Sequence, residues 1–303
     1  MAASSLRDYV ADFKCKGESK MKSYYEDREV FARKMMEEAL PDAGDVFECI
    51  PIKYVPDSKW IQGRDEVAKC CGESKHKRQL MEKELAHSEN VMGEFISGSK
   101  GRAVVFKKSI VTNSSFHIEA LAHEFAHVYC TSVERKEGYI PAEFSDAQFP
   151  NDEVQYGYNM WKEFAAQGIC KKVCAKNGFL HKGDIIEELK WYLEEIVYRL
   201  SGEGDIGMFF ADLLFDGRLN RNTDRKALLR ELLEDYDEGV RECFLELCTL
   251  ICDKQEKKNF WRTDVESLED LGGMIEGLKY TAQVNKAVAL IGRRSGASLS
   301  SPA

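Results

Sequence analysis

Histidine and proline are scarce in this chain, with six of each in 303 residues. So few prolines leave long stretches free to be helical, and those present mark where helices stop. Positive charge is not in excess either. The formal net charge is −9, and the lysines and arginines are dispersed among acids, as in KCCGESKHKR at 69–78. A nucleic-acid partner therefore has no electrostatic support. No window approaches the roughly 18 apolar residues of a membrane helix. The first twenty residues also lack the apolar core of a signal peptide. Neither a membrane partner nor secretion is expected. None of the ten cysteines stands in a CxxC spacing. Scattered cysteines in a chain too large to need staples read as reduced thiols, so the expected location is cytoplasmic. Cys170 and Cys174 lie one helical turn apart, and with His181 they are a minor candidate for a structural zinc. Small apolar filler is the better account of them. Nothing in the sequence fixes the oligomeric state.

What is present suits a globular protein with a core: 44% hydrophobic and 31% charged residues. There is no internal repeat. SYYEDREVFARKMMEEAL (23–40) reads as a helix ended by Pro41 and Gly44. VFECIPIKYV (46–55) is rich in β-branched and aromatic residues and reads as a strand. Residues 64–87 are charged and helical in pattern. VMGEFIS (91–97), GSKG (98–101) and RAVVFKKSIV (102–111) read as a β-hairpin. Asn113, Ser114 and Ser115 can each cap a helix running to about Cys130. A loop over 136–151 follows. Asn151 with Asp152 and Glu153 then opens a helix that stops at Asn177-Gly178. Asp184 and Glu187 form a capping-box pattern before an apolar stripe of Ile185, Leu189, Tyr192, Ile196 and Leu200. Two more long helices are expected over 225–255 and 263–291. The fold class is α+β. We divide the chain into residues 1–180, with a small sheet, a helical part over 181–293, and a disordered tail over 294–303.

Two of the six histidines sit one turn apart in HIEALAHEFAHVYC (117–130), spaced H-E-x-x-H. On a helix His123 and His127 point the same way and can share one Zn²⁺ at N–metal distances of about 2.0–2.1 Å. Glu124 projects from the adjacent side, within reach of a water on that metal. The metal lowers the pKa of that water, and Glu124 can take its proton and return it to a leaving amine. Ile118, Leu121, Phe125 and Val128 form an apolar stripe roughly opposite the histidines. The helix can therefore bury one side and offer the other to a cleft. A random chain of this length and composition shows the pattern about once in a hundred.

A catalytic zinc needs a third protein ligand. No histidine follows at the short H-x-x-G-x-x-H spacing. HEFAH here, with Glu163 in NMWKEFAAQ on a later helix, resembles the glutamate-zincins, zinc metallopeptidases whose third ligand is a glutamate. The order of elements is similar to compact cytoplasmic members of the ImmA/IrrE type. The resemblance covers about residues 90–170. It implies a zincin-like small sheet, a metal set of His123, His127 and Glu163, Zn²⁺ as cofactor, Glu124 as general base, and a peptide or protein substrate. Some members carry an aspartate three residues after the glutamate; here that place is Ala166. An edge strand before the metal helix binds substrate in this pattern, and 102–111 sits where it should be. Tyr156, Tyr158 and His181 are candidates to stabilise the oxyanion. Glu153, Glu143 and Asp146 are alternative oxygen ligands. The competing expectation is a non-catalytic, regulatory zincin-fold protein that binds a partner through its helical half.

Overall fold

Pro41 ends the first helix as expected, and the chain turns into a 3₁₀ segment, Pro41–Val46, after α1 (Met21–Ala39). The computed structural model describes residues 21–87, 91–137, 149–179, 183–200, 202–220, 222–255 and 263–297. It is mainly helical with one small mixed sheet. Two compact units are distinguished: residues 1–147 with 169–182, and residues 148–168 with 183–303.

In the first unit, the strand expected over 46–55 shrinks to β1 (Ile52–Val55). The carbonyls of Phe47 and Ile50 instead accept from the Arg33 guanidinium, the second at 2.7 Å. Pro51 has no N–H to offer a ladder. The helical stretch at 64–87 is two helices, α2 (Trp60–Cys71) and α3 (Lys75–His87), divided where Gly72 takes φ 77°. The expected hairpin forms as β2 (Gly93–Gly98) and β3 (Gly101–Lys107), with Gly98 opposite Gly101.

The strand order is β1-β3-β2, with β1 parallel and β2 antiparallel to β3. This overturns the placement of 102–111 at the sheet edge: β3 is the middle strand, and Lys108–Thr112 is a 3₁₀ turn. The reason lies in Ala103–Phe106, four successive buried residues. A strand apolar on both faces belongs inside a sheet. Ala103 and Val105 join Trp60, Val67, Ala68 and Cys71 of α2 in one cluster. Phe106, on the other face, stacks with Tyr54. Arg64, 2% exposed, ties α2 to β2 through Glu94 at 2.6 Å and also holds Glu73 at 2.6 Å.

α4 (Ser114–Glu137) follows and runs past its expected end at Cys130. Asn113 opens it, its Oδ1 accepting from the N–H of Phe116 at 3.2 Å. α4 packs against α1 and β2. α5 (Asp152–Lys176) is one unbroken helix whose first part counts with the second unit and whose last part counts with the first. Asn151 caps it, accepting from Val154 N–H at 2.8 Å. Gly178 at φ 70° ends it, and Phe179 N–H donates back to Cys174 O at 2.8 Å.

In the second unit, Asp184 caps α6 (Ile185–Glu194) by accepting from Ile186 N–H at 2.9 Å. Its buried stripe of Ile185, Leu189, Tyr192 and Ile196 continues into a π-helical turn, Glu195–Arg199, which ends at Leu200 with φ 57°. α7 (Glu203–Phe215) comes next. The single helix expected over 225–255 is two: α8 (Arg225–Leu232) and α9 (Glu238–Gln255). The side chain of Asp237 accepts from Gly239 N–H at 2.9 Å, an N-cap that starts a new helix there. α10 (Val265–Ala297) packs along α9. Phe209, Phe210 and Phe244 form an aromatic centre in this unit. Among the described residues, no helix is long and apolar enough to cross a membrane.

Candidate metal centre

α4 carries three histidines, and they occupy two different settings. His117, near its start, is fully buried. Its Nδ1 lies 3.2 Å from Arg28 Nη1 and its Nε2 2.9 Å from Tyr54 Oη. A guanidinium only donates, so Nδ1 accepts and Nε2 carries the hydrogen. Tyr54 in turn donates to Glu29 Oε1 at 2.9 Å. Burial, with the Arg28 charge added, holds the His117 imidazole down to about 3. The ring is therefore neutral and pins α4 to α1 and β1. Sequence reasoning did not single out His117, because its partners lie 89 and 63 positions away in the chain.

The next turns behave as their spacing predicts. Ile118, Leu121, Phe125 and Val128 are all buried at 1% exposure or less. With that stripe in the core, His123 and His127 share the other side of α4. Their Nε2 atoms lie 3.1 Å apart, and the rings meet edge to face at 83°. Two nitrogens about 2.0–2.1 Å from one metal at a tetrahedral angle are separated by about 3.3 Å. The pair already stands close to that spacing. At that distance one Nε2–H donates to the other. Glu124, beside them, is 7% exposed.

Glu163 sits midway along α5. The turn that carries it is closely approached by α7: a side chain at Gly207 would meet the Met160 carbonyl oxygen at 2.2 Å. Only a glycine lets the backbones approach so closely. One turn earlier, a Cβ at Gly204 would stand 3.1 Å from Glu163 Cγ, so that glycine leaves the carboxylate stem its space. Gln167, one turn after Glu163, donates to Asp212 Oδ1 at 2.8 Å, and both are buried. Lys162 approaches Glu163 at 3.4 Å. That is longer than the roughly 2.7–2.9 Å of a strong charge-assisted hydrogen bond.

One ligand atom each from His123, His127 and Glu163 lies within 4.8 Å of the others. Among the described residues this is the one group of three or more histidine, cysteine or acidic side chains placed to share an ion. The three expected ligands are thus brought together. Two imidazole nitrogens and one carboxylate oxygen are a donor set that Zn²⁺ accepts, and three ligands leave a fourth position open.

The other candidates fare differently. Tyr156 lies under Lys279, whose Nζ is 5.0 Å from the ring centre, and Tyr158 packs on Phe149 at 5.4 Å. Glu153 stands in the first turn of α5 and is not among the converging ligands. Glu143, Asp146 and His181 lie outside the described residues. Cys170 and Cys174 are buried, with Sγ atoms 3.9 Å apart, as filler cysteines would be. Ala166 is buried and offers no group to orient a histidine.

No family model, no curated protein and no solved structure matches this chain.

Proposed function

We propose that this chain is a zinc-dependent metallopeptidase. The observation that carries the reading is the convergence of one ring nitrogen each from His123 and His127 with a Glu163 carboxylate oxygen, and Glu124 stands on the same helix as the histidines. His123, His127 and Glu163 would hold the Zn²⁺, which would supply Lewis acidity to a peptide carbonyl and to water near neutral pH. Glu124 takes the proton of the attacking water on its carboxylate and passes it to the departing amine. His123, His127 and Glu163 hold their positions and transfer no proton. β2 is an outer strand of the sheet and packs against α4. We place the peptide along that outer strand, paired through main-chain hydrogen bonds. The described cysteines are all free thiols, which fits action in the cytoplasm.

The burial of Glu124 favours one second reading, a zinc-stabilised module that binds a partner without turnover. Elemental analysis and peptide hydrolysis, measured together, decide between the two. We expect about one zinc per chain and a hydrolytic activity that is lost in Glu124→Gln with the zinc retained. Zinc in the wild type without hydrolysis of any peptide in a broad library would leave the second reading. Glu163→Ala should weaken zinc binding sharply, and Glu163→Gln less so, because the amide oxygen can still coordinate.

A further inference from the structure

One turn before His123 on α4 stands Glu119, and two turns after Glu163 on α5 stands Lys171. Lys171 Nζ lies 2.6 Å from Glu119 Oε1, with the two side chains 8% and 17% exposed. The neighbouring Cys170 Sγ donates to the backbone carbonyl of Glu119 at 3.3 Å. An ammonium group this deeply buried needs its partner. Replacing such a pair with apolar residues is often neutral for stability, so its best-attested use is to specify register.

We infer that the Glu119–Lys171 pair is a positioning device that sets the register of α5 on α4, and through it the arrival of Glu163 at the two histidines. The inference rests on the metal reading above. His127 lies as many residues beyond Glu119 as Glu163 lies before Lys171, and both helices are unbroken over those spans. A pairing fixed at one end by Glu119 and Lys171 therefore fixes the other end as well. A slip of one residue moves Glu163 about 1.5 Å along α5 and turns it about 100° around the axis. Metal ligation tolerates only about 0.2 Å. Apolar packing alone does not single out one register, because buried side chains recur on every turn of both helices. A charge pair buried at one position does.

The experiment titrates Co²⁺ into metal-free full-length protein, reading the affinity and the visible d–d absorption, and separately melts the metal-free forms. The variants are the double substitution Glu119→Met with Lys171→Met, the swap Glu119→Lys with Lys171→Glu, and His123→Ala with His127→Ala. The double-methionine form should melt within about 5 °C of the wild type. Its Co²⁺ affinity should fall by about 10–100-fold, with an altered d–d band, as is typical when a ligand loses its support. The swap should recover most of that affinity and the wild-type band. A double-methionine form that binds Co²⁺ as tightly as the wild type, with the same band, overturns the inference. If that form fails to fold, the swap decides: a folded swap about tenfold or more weaker than the wild type overturns it, and recovery to within about threefold supports it. A wild type that takes up no Co²⁺, or uptake unchanged by loss of both histidines, overturns the metal reading itself. That arm touches neither Glu119 nor Lys171, so the two failures are distinguishable.

Discussion

The two ends of α4's histidine run differ in one respect that decides what each can do. At His117 both ring nitrogens are spent, one on Arg28 and one on Tyr54, and the ring is fully buried. At His123 and His127 the two Nε2 atoms face each other, and one ring nitrogen of each lies within 4.8 Å of a Glu163 carboxylate oxygen. The residue type and the helix are the same. A histidine whose partners close around it serves the fold, whereas two whose ring nitrogens converge, with a carboxylate nearby, could hold an ion. Burial does not separate the cases, because His127 is only 7% exposed. Convergence of donor atoms does.

The largest way to break this comparison is to remove the converging pair. His123→Ala with His127→Ala should take the metal content from about one per chain to about zero, while the fold survives, since alanine suits a helix interior. His117→Ala should do the opposite: zinc content per folded chain holds while stability falls. Elemental analysis of both variants, purified without added metal, checks this. Zinc lost through His117 and kept without His123 and His127 would reverse the assignment. The next largest effect is on rate. Glu124→Gln should keep the zinc and lower hydrolysis by about 10²–10⁴-fold, because the amide preserves shape and cannot accept the proton. An authentic substrate cut by Glu124→Gln at the wild-type rate would refute the role of Glu124.

How much of this was legible beforehand depends on the range of each interaction. The H-E-x-x-H pair was legible because one helical turn brings it together whatever the rest of the chain does. The helix starts at Asn113, Asn151 and Asp184 and the stop at Gly178 were legible for the same reason: a cap acts within three residues. The face of α5 that bears Glu163 could be read, but its arrival near His123 and His127 depends on tertiary pairing. What was misread required distant partners. β3 looked like an edge strand because its place between β1 and β2 depends on pairings that span more than fifty positions. Arg33 takes the carbonyls that a longer β1 would have used. The break between α8 and α9 is the exception, since the Asp237 cap acts on Gly239 only two residues away.

The remaining tests concern the closed end of α4 and carry smaller effects. The folded chain holds His117 down to about 3, whereas the unfolded chain takes up its proton near the ordinary value of about 6.5. The folded-state value is depressed, so the stability it reflects is whole above about 6.5 and is lost as pH falls from there toward 3. One proton corresponds to at most about 1.4 kcal/mol per pH unit, or about 2 kcal/mol between pH 6.5 and 5. Denaturant melts of the wild type and His117→Gln over that range isolate this contribution from the carboxylates that titrate in both. Parallel slopes would show that His117 is not the group responsible.

The smallest effect is expected at Tyr54, the link through which Glu29 sees the His117 ring. Tyr54→Phe keeps the ring that stacks on Phe106 and removes only the hydroxyl. His117 Nε2–H then loses its acceptor, while Glu29, half-buried, can turn to water. One satisfied buried donor is lost, which costs about 1 kcal/mol. The proposed metal site should not register the change, because the stripe from Ile118 to Val128 holds α4 in the core independently of His117. The expected outcome is a lower denaturant midpoint with Co²⁺ affinity within about twofold of the wild type. A Co²⁺ affinity that falls together with the midpoint would mean that the closed end of α4 sets the geometry of the open one. The two histidine settings would then be a single coupled site.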